Sequence, residues 1–195
     1  MTERGATQTR GSWPVPIRGI VETVVATRGP DGRWNLAALG LRAGDPVGAR
    51  TWGQTRTRRN FSRRGAGIIL FVPDPILFVE AALDIVERAD PVPPEADAWA
   101  AVSVSPLDRG RTSGTNWVDW AIHPRAGTVH RRRVSTINRG RNAVVEATVA
   151  ASRLGISGYD DDVLRRRIDR YGDIVDRCGS DRDVRAFDRL RSLLD

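Results

Sequence analysis

Eleven residues, TRTRRNFSRRG from Thr55 to Gly65, carry the densest chemistry in the chain: two threonines, an asparagine and five arginines. The stretch is too polar for a core strand. If the residues after Thr57 are helical, their first backbone N–H groups have no intrahelical acceptor. The hydroxyls of Thr55 and Thr57 and the guanidinium of Arg56 then sit beside those donors, and Asn60 follows one turn after Thr57 on the same edge. Open N–H groups, the positive end of a helix dipole, hydroxyls and an arginine together suit a phosphate. A terminal phosphate with ~1.5–2 negative charges matches this set best. A plain helix capped by Thr57, with its arginines solvated, accounts for the same residues.

Other reactive side chains are sparse. His123 and His130 flank a Pro-Arg-Ala-Gly segment with no cysteine or carboxylate cluster beside them, so no metal site is expected. No nucleophile elbow or Walker loop occurs, and no catalytic residue is assigned. Cys178 falls in a helical pattern and reads as a small buried hydrophobe. Trp34, Trp52, Trp117 and Trp120 could stack on a ring but suit a core or an interface better. Glu22, inside an apolar strand, reads as a buried partner for an arginine such as Arg139 or Arg153. In HRRRVS, His130 to Ser135, Arg131 and Arg133 share one face of an expected solvated strand.

Composition sets the frame. A chain of 195 residues can bury a sizeable core. The formal charge of +7 invites nucleic acid, yet all 31 basic residues are arginine, which reads as coding bias, and most have an acidic neighbour. No apolar run reaches the ~18 residues of a membrane span. The opening MTERGATQTRGSWPVP lacks the apolar stretch of a secretory leader, so the expected compartment is the cytoplasm.

The elements that must position Thr55–Gly65 follow from pattern. Ile17 to Thr27 is β-branched and reads as a strand, Asp31-Gly32 as a hairpin turn, and Trp34 to Leu41 as its partner. VGARTW is a short third strand. The opening stretch then forms a short helix closed by Gly65, and Ala66 to Pro73 a buried strand. DPILFVEAALDIVERA predicts a helix with Asp74 as cap and Pro75 in its first turn. After the Pro-rich Asp90 to Asp97, AWAAVSVSP, TNWVDWAIHP and TVHRRRVST read as three more strands. From Asn138 the period becomes helical, with stripes at Ala143, Ala147, Ala150 and Leu154, then Leu164, Ile168, Tyr171, Val175 and Cys178, then Val184, Phe187, Leu190 and Leu194. Asp160 to Asp162 precede the second of these helices, where carboxylates favour the dipole. The expected fold is α+β: a six- to seven-stranded antiparallel split β-barrel over residues 1–136, followed by a helical segment over 137–195.

Four motifs in order resemble a known family. Glu22-Thr23 lies in the first strand, Asn35 to Gly40 in the second, Thr55 to Asn60 at the helix start, and Asp74 to Ala81 further on. Asn138 to Gly155 adds an Arg/Asn-opened, Glu-bearing helix. Together they resemble the FMN-binding split-barrel proteins, and more narrowly the uncharacterised family called domain of unknown function 447. The chain differs in having Ala38 where the family carries proline, Thr55 where it carries serine, and ILFV where relatives carry polar residues.

The resemblance implies an FMN cofactor in a groove at a homodimer interface. It implies that Thr55, Arg56, Thr57 and Asn60 grip the phosphate. The backbone of Asn35, Ala37, Ala38, Leu39 and Gly40 would line the flavin ring, with the small Ala37 and Ala38 allowing close approach and Gly40 relieving crowding. Redox chemistry would belong to the flavin, in an oxidoreductase or flavin carrier of small-molecule metabolism. Two other readings stand beside it. One is an arginine-rich nucleic-acid-binding β-barrel, motivated by the charge but lacking aromatic stacking platforms. The other is a flavin-free dimeric scaffold, motivated by the apolar ILFV strand.

Overall fold

The computed structural model describes residues 7–195. The part of the expected leader-free opening that covers residues 1–6 lies outside the described residues. In chain order the elements are β1 (Thr7–Arg10), β2 (Ile20–Arg28), β3 (Trp34–Arg42), β4 (Val47–Trp52), α1 (Arg56–Arg64), β5 (Ala66–Phe71), α2 (Pro75–Leu83), β6 (Val86–Arg88), β7 (Ala98–Thr112), β8 (Thr115–Val129), α3 (Arg139–Ala151), α4 (Asp161–Cys178) and α5 (Asp181–Ser192). They form two compact units. One holds residues 7–73 and 86–133, the other residues 74–85 and 134–195. The helix after Asp74, expected within the N-terminal segment, groups with the C-terminal helices.

In the first unit, six strands pair antiparallel in the order β8-β4-β3-β2-β5-β7, and β7 closes the ring by pairing with β8. β1 adds to β8 and β6 to β3, which gives a closed barrel with two extra strands. The β2–β3 hairpin turns where the sequence places Asp31-Gly32. Gly29 N–H donates to the Arg33 carbonyl at 2.7 Å, and Gly32 has a φ of 86°, which a side chain would strain. Alternation then fixes the interior. Val25, Leu39, Leu41, Ile69, Val102 and Trp120 meet inside the barrel, with Phe61 of α1 packed edge-on to Trp120 at 5.3 Å.

Several expectations change. Three strands after Asp97 are two long ones, because Pro106 and Pro124 sit at irregularities in the β7–β8 ladder, where a missing N–H costs no regular bond. The segment His130 to Ser135 is not a strand but an exposed connection. The helix from Pro75 ends at Leu83 rather than running to Ala89, and Val86–Arg88 pairs with β3 instead. Glu22 and Glu146 are exposed, so Glu22 is not the buried carboxylate its apolar strand suggested.

The second unit is helical. The expected stripes form its core: Ala143, Ala147 and Ala150 of α3, Leu164, Ile168 and Val175 of α4, and Phe187 and Leu190 of α5 are buried together with Val79 of α2. Tyr171 and Cys178 are half-buried. The caps follow sequence: Asp74 accepts from Ile76 N–H, Asn138 from Arg141 N–H and Asp160 from Val163 N–H. Asp183 is wholly buried, takes bonds from Ser180 and pairs with Arg141. Burial pushes its carboxyl up, but the bonds from Arg141 and Ser180 outweigh burial and hold it below the ordinary 3.8. Among the described residues no helix is long and apolar enough to cross a membrane.

Candidate functional site

Helix α1 begins two positions before the expected start. Thr55, not Thr57, is the cap: its backbone is extended and its Oγ1 accepts from Arg58 N–H at 3.2 Å. Arg59 N–H goes to the Thr55 carbonyl at 3.1 Å. The N–H groups of Arg56 and Thr57 therefore remain open among the described residues, at the positive end of a helix whose first turn holds no carboxylate. Thr57 is 4% exposed, and its hydroxyl makes no hydrogen bond to another described residue. The side chain is packed in, but the hydroxyl itself keeps contact with solvent and is available to an incoming acceptor.

The five arginines of the opening stretch divide by what they hold. Arg58 Nη1 donates to the Gly53 carbonyl at 2.8 Å and Arg59 Nη1 to the Gln54 carbonyl at 2.7 Å. Arg64 donates to the carbonyls of Arg28 and Gly29, both at 3.2 Å. These three tie the helix to the loops around it and are not a free basic track. Arg63 reaches Asn60 Oδ1 at 3.4 Å, and Arg56 pairs with Glu87 of β6. Asn60 is buried and donates to Thr27 Oγ1 at 3.1 Å, which fastens α1 to β2.

Between α1, the β2–β3 hairpin and β6 lies an open cleft of about 250 Å³, lined by Arg33, Asn35, Arg56, Asn60, Arg63 and Glu87 among others. Asn35 is 6% exposed and its amide has no hydrogen-bond partner among the described residues. Of the expected phosphate group, Arg56 and Asn60 line this cleft. Thr55 caps the same helix from an exposed position, and Thr57 is buried in its first turn.

β3 continues from Asn35 along an edge that is only partly paired. Its whole length pairs with β2 on one side. On the other side β6 stops at Leu36 and β4 joins only at Leu41. Ala37 to Gly40 thus face a gap between strands. Backbone polar groups alternate between the two edges of a strand, so two of these four residues direct N–H and C=O into the gap. Side chains divide differently: Ala37 and Leu39 face the barrel core, Ala38 and Gly40 the outer face. What the stretch offers a flat ring is backbone. The gap starts two residues from Asn35, about 7 Å along the strand.

Residues outside this region are structural. Trp120 is core, and its Nε1 donates to Thr51 Oγ1 at 2.9 Å. Arg50 lies 3.9 Å over the Trp117 ring and makes a two-pronged bond to Asp119 at 2.8 and 2.7 Å, which Arg42 joins at 2.6 Å. The bond from Arg50 holds the Asp119 carboxyl below 3.8 despite partial burial, and Arg42 adds to it. His123 and His130 are exposed, His130 accepts from Trp99 Nε1 at 3.0 Å, and no group of metal-ligating side chains occurs among the described residues. Arg33 and Glu87 were not foreseen in the cleft. The Asp-Gly turn was the only signal for the first. Glu87 was hidden inside an apparent helix.

A closed six-stranded antiparallel barrel with a split beside β3, two added strands and C-terminal helices defines the flavin-reductase-like split barrel. The model for the N-terminal domain of the proteins of unknown function DUF447 matches residues 21–131, and the second model for these proteins matches residues 138–192. The chain belongs to the DUF447 family. It is similar to the FMN-bound DUF447 protein MM1853 from Methanosarcina mazei, at 25% identity and a TM-score of 0.76, over 91% of this chain and 96% of that one. Weaker likenesses, too low to support an argument, join it to the flavin reductase HpaC complexed with NADP+ (13% identity, TM-score 0.42, 60% and 82% covered) and to an FMN-binding protein from Thermus thermophilus (14%, 0.40, 58% and 77%). No curated protein matches the chain.

Proposed function

We propose that this chain is an FMN-binding flavoprotein. Its phosphate site is the start of α1, and its ring site is the unpaired edge of β3. The observation that carries this reading is the pair of inward-packed side chains Thr57 and Asn35, whose polar groups keep solvent contact and have no partner among the described residues, set beside open helix N–H groups and an open strand edge. Bound FMN would supply hydride or single-electron transfer, and the chain's residues would hold and orient it. The N–H groups of Arg56 and Thr57 and the two threonine hydroxyls donate to phosphate oxygens, while Arg56 supplies countercharge. Asn60 serves by fixing α1 on Thr27. Backbone groups of Ala37 to Gly40 meet the ring. The FMN-bound relative MM1853 supports the choice of ligand.

The finer reading is an oxidoreductase or flavin carrier that works as a cytoplasmic homodimer. Ile20, Trp52 and Leu107, large apolar residues exposed on the barrel unit, support self-association. The test is titration of wild type and of the Arg56→Ala/Thr57→Ala variant with FMN and with riboflavin, followed by flavin fluorescence. FMN affinity falls at least about a hundredfold in the variant, because two charge-assisted contacts disappear, while riboflavin affinity holds. Unchanged FMN affinity contradicts the phosphate site.

A further inference from the structure

Resting on the FMN reading, we propose that Glu87 is a built-in competitor for the ligand's phosphate, which must release Arg56 before Arg56 can serve the ligand. The cleft charges make the case. Arg33, Arg56, Arg59 and Arg63 line it, against Asp31 and Glu87. Asp31 is engaged in its own hairpin, accepting from Arg33 N–H at 3.1 Å, and Arg59 is engaged by the Gln54 carbonyl. Glu87 is the carboxylate that reaches the helix start, where its Oε1 takes Arg56 Nη1.

Glu87 also has somewhere to go. Its Oε2 lies 3.7 Å from Arg33 Nε, and Arg33 Nη2 is anchored to the Glu87 carbonyl at 3.1 Å. β6 holds Glu87 opposite Asn35 in the ladder, so the carboxylate stays in the cleft whichever arginine it uses. The Arg56–Glu87 pair is partly solvated, with side-chain exposures of 42% and 31%. Such a pair is weak enough to be exchanged. A phosphate that takes Arg56 leaves Glu87 on Arg33, and the two anions then share one cleft. Glu87 thereby lowers affinity for every phosphate-bearing ligand and leaves phosphate-free flavin untouched.

The experiment compares wild type, Glu87→Gln, Arg56→Gln and the double variant. It measures FMN and riboflavin affinities by fluorescence titration at low salt, and thermal stabilisation by inorganic phosphate. Glu87→Gln tightens FMN binding about fivefold and enlarges the stabilisation by phosphate, with riboflavin affinity unchanged. In the Arg56→Gln background the same substitution changes FMN affinity less than twofold, since the exchanged partner is gone. Equal or weaker FMN and phosphate binding in Glu87→Gln overturns the proposal and makes Glu87 a positioning residue for Arg56. The flavin reading fails separately, if wild type binds neither flavin. The phosphate arm still decides the role of Glu87 in that case.

Discussion

Replacing Thr57 by valine separates ligand binding from folding. The two side chains have the same shape, and Thr57 is 4% exposed with no side-chain bond to a described residue. Valine therefore removes a hydroxyl from which the folded chain draws nothing. Helix propensities of Thr and Val are close, so the expected stability change is within about 0.5 kcal/mol. Toward a phosphate the same hydroxyl donates to a charged acceptor, a bond of about 1.5–3 kcal/mol. At about 1.4 kcal/mol per factor of ten, Thr57→Val weakens FMN binding roughly ten- to a hundredfold. Fluorescence titration with FMN and riboflavin, paired with a thermal melt, reads both quantities. An unchanged melt with FMN alone weakened fits. FMN affinity within twofold of wild type would refute the reasoning, since the hydroxyl would then face no phosphate.

Thr55→Ala behaves differently, because Thr55 is the cap. It costs about 1 kcal/mol of stability, seen as a melting point lower by about 2–4 °C, and weakens FMN as well. Asp119 gives the chain an acid-side dependence. Its folded pKa is held below 3.8 by the bonds from Arg50 and Arg42. Its stabilisation is therefore complete above about pH 4 and is lost as the pH falls through the lowered folded value. Asp119→Asn should lower urea stability at pH 7 and flatten its decline below pH 4; an unaltered acid slope would show that the pair contributes nothing. Gly140→Ala should destabilise the helical unit by about 1–3 kcal/mol, because an added Cβ runs into the backbone of Gly179, which no rotamer change can clear. Urea melts check this, and a neutral result would mean the two helices part freely.

Local chemistry made much of the fold legible. Asp-Gly, Asp74-Pro75 and the run Asp160 to Asp162 each act within a few residues of themselves, and the three helical stripes need only a period. The start of the candidate site was less legible. Thr55 and Thr57 are chemically equal as caps, and the choice falls to the turn at Gly53, whose φ of 61° delivers Thr55 in extended form. Glu87 was out of reach because apolar periodicity runs on past Leu83. The chain turns extended at Asp84, and what holds Val86–Arg88 is a ladder to β3, a contact of long sequence separation. The length of β7 and β8 was hidden by Pro106 and Pro124, which read as breaks until bulges accommodate them. The open edge of Ala37 to Gly40 is a property of where two other strands stop, which no single stretch records.

The most direct measurement is the flavin content of the freshly purified protein, released by denaturation and identified by chromatography, with added FMN tested where none is retained. The account predicts a yellow protein that carries or takes up FMN at one per chain and ignores riboflavin at the same concentration. A colourless protein that binds FMN no better than riboflavin would contradict it.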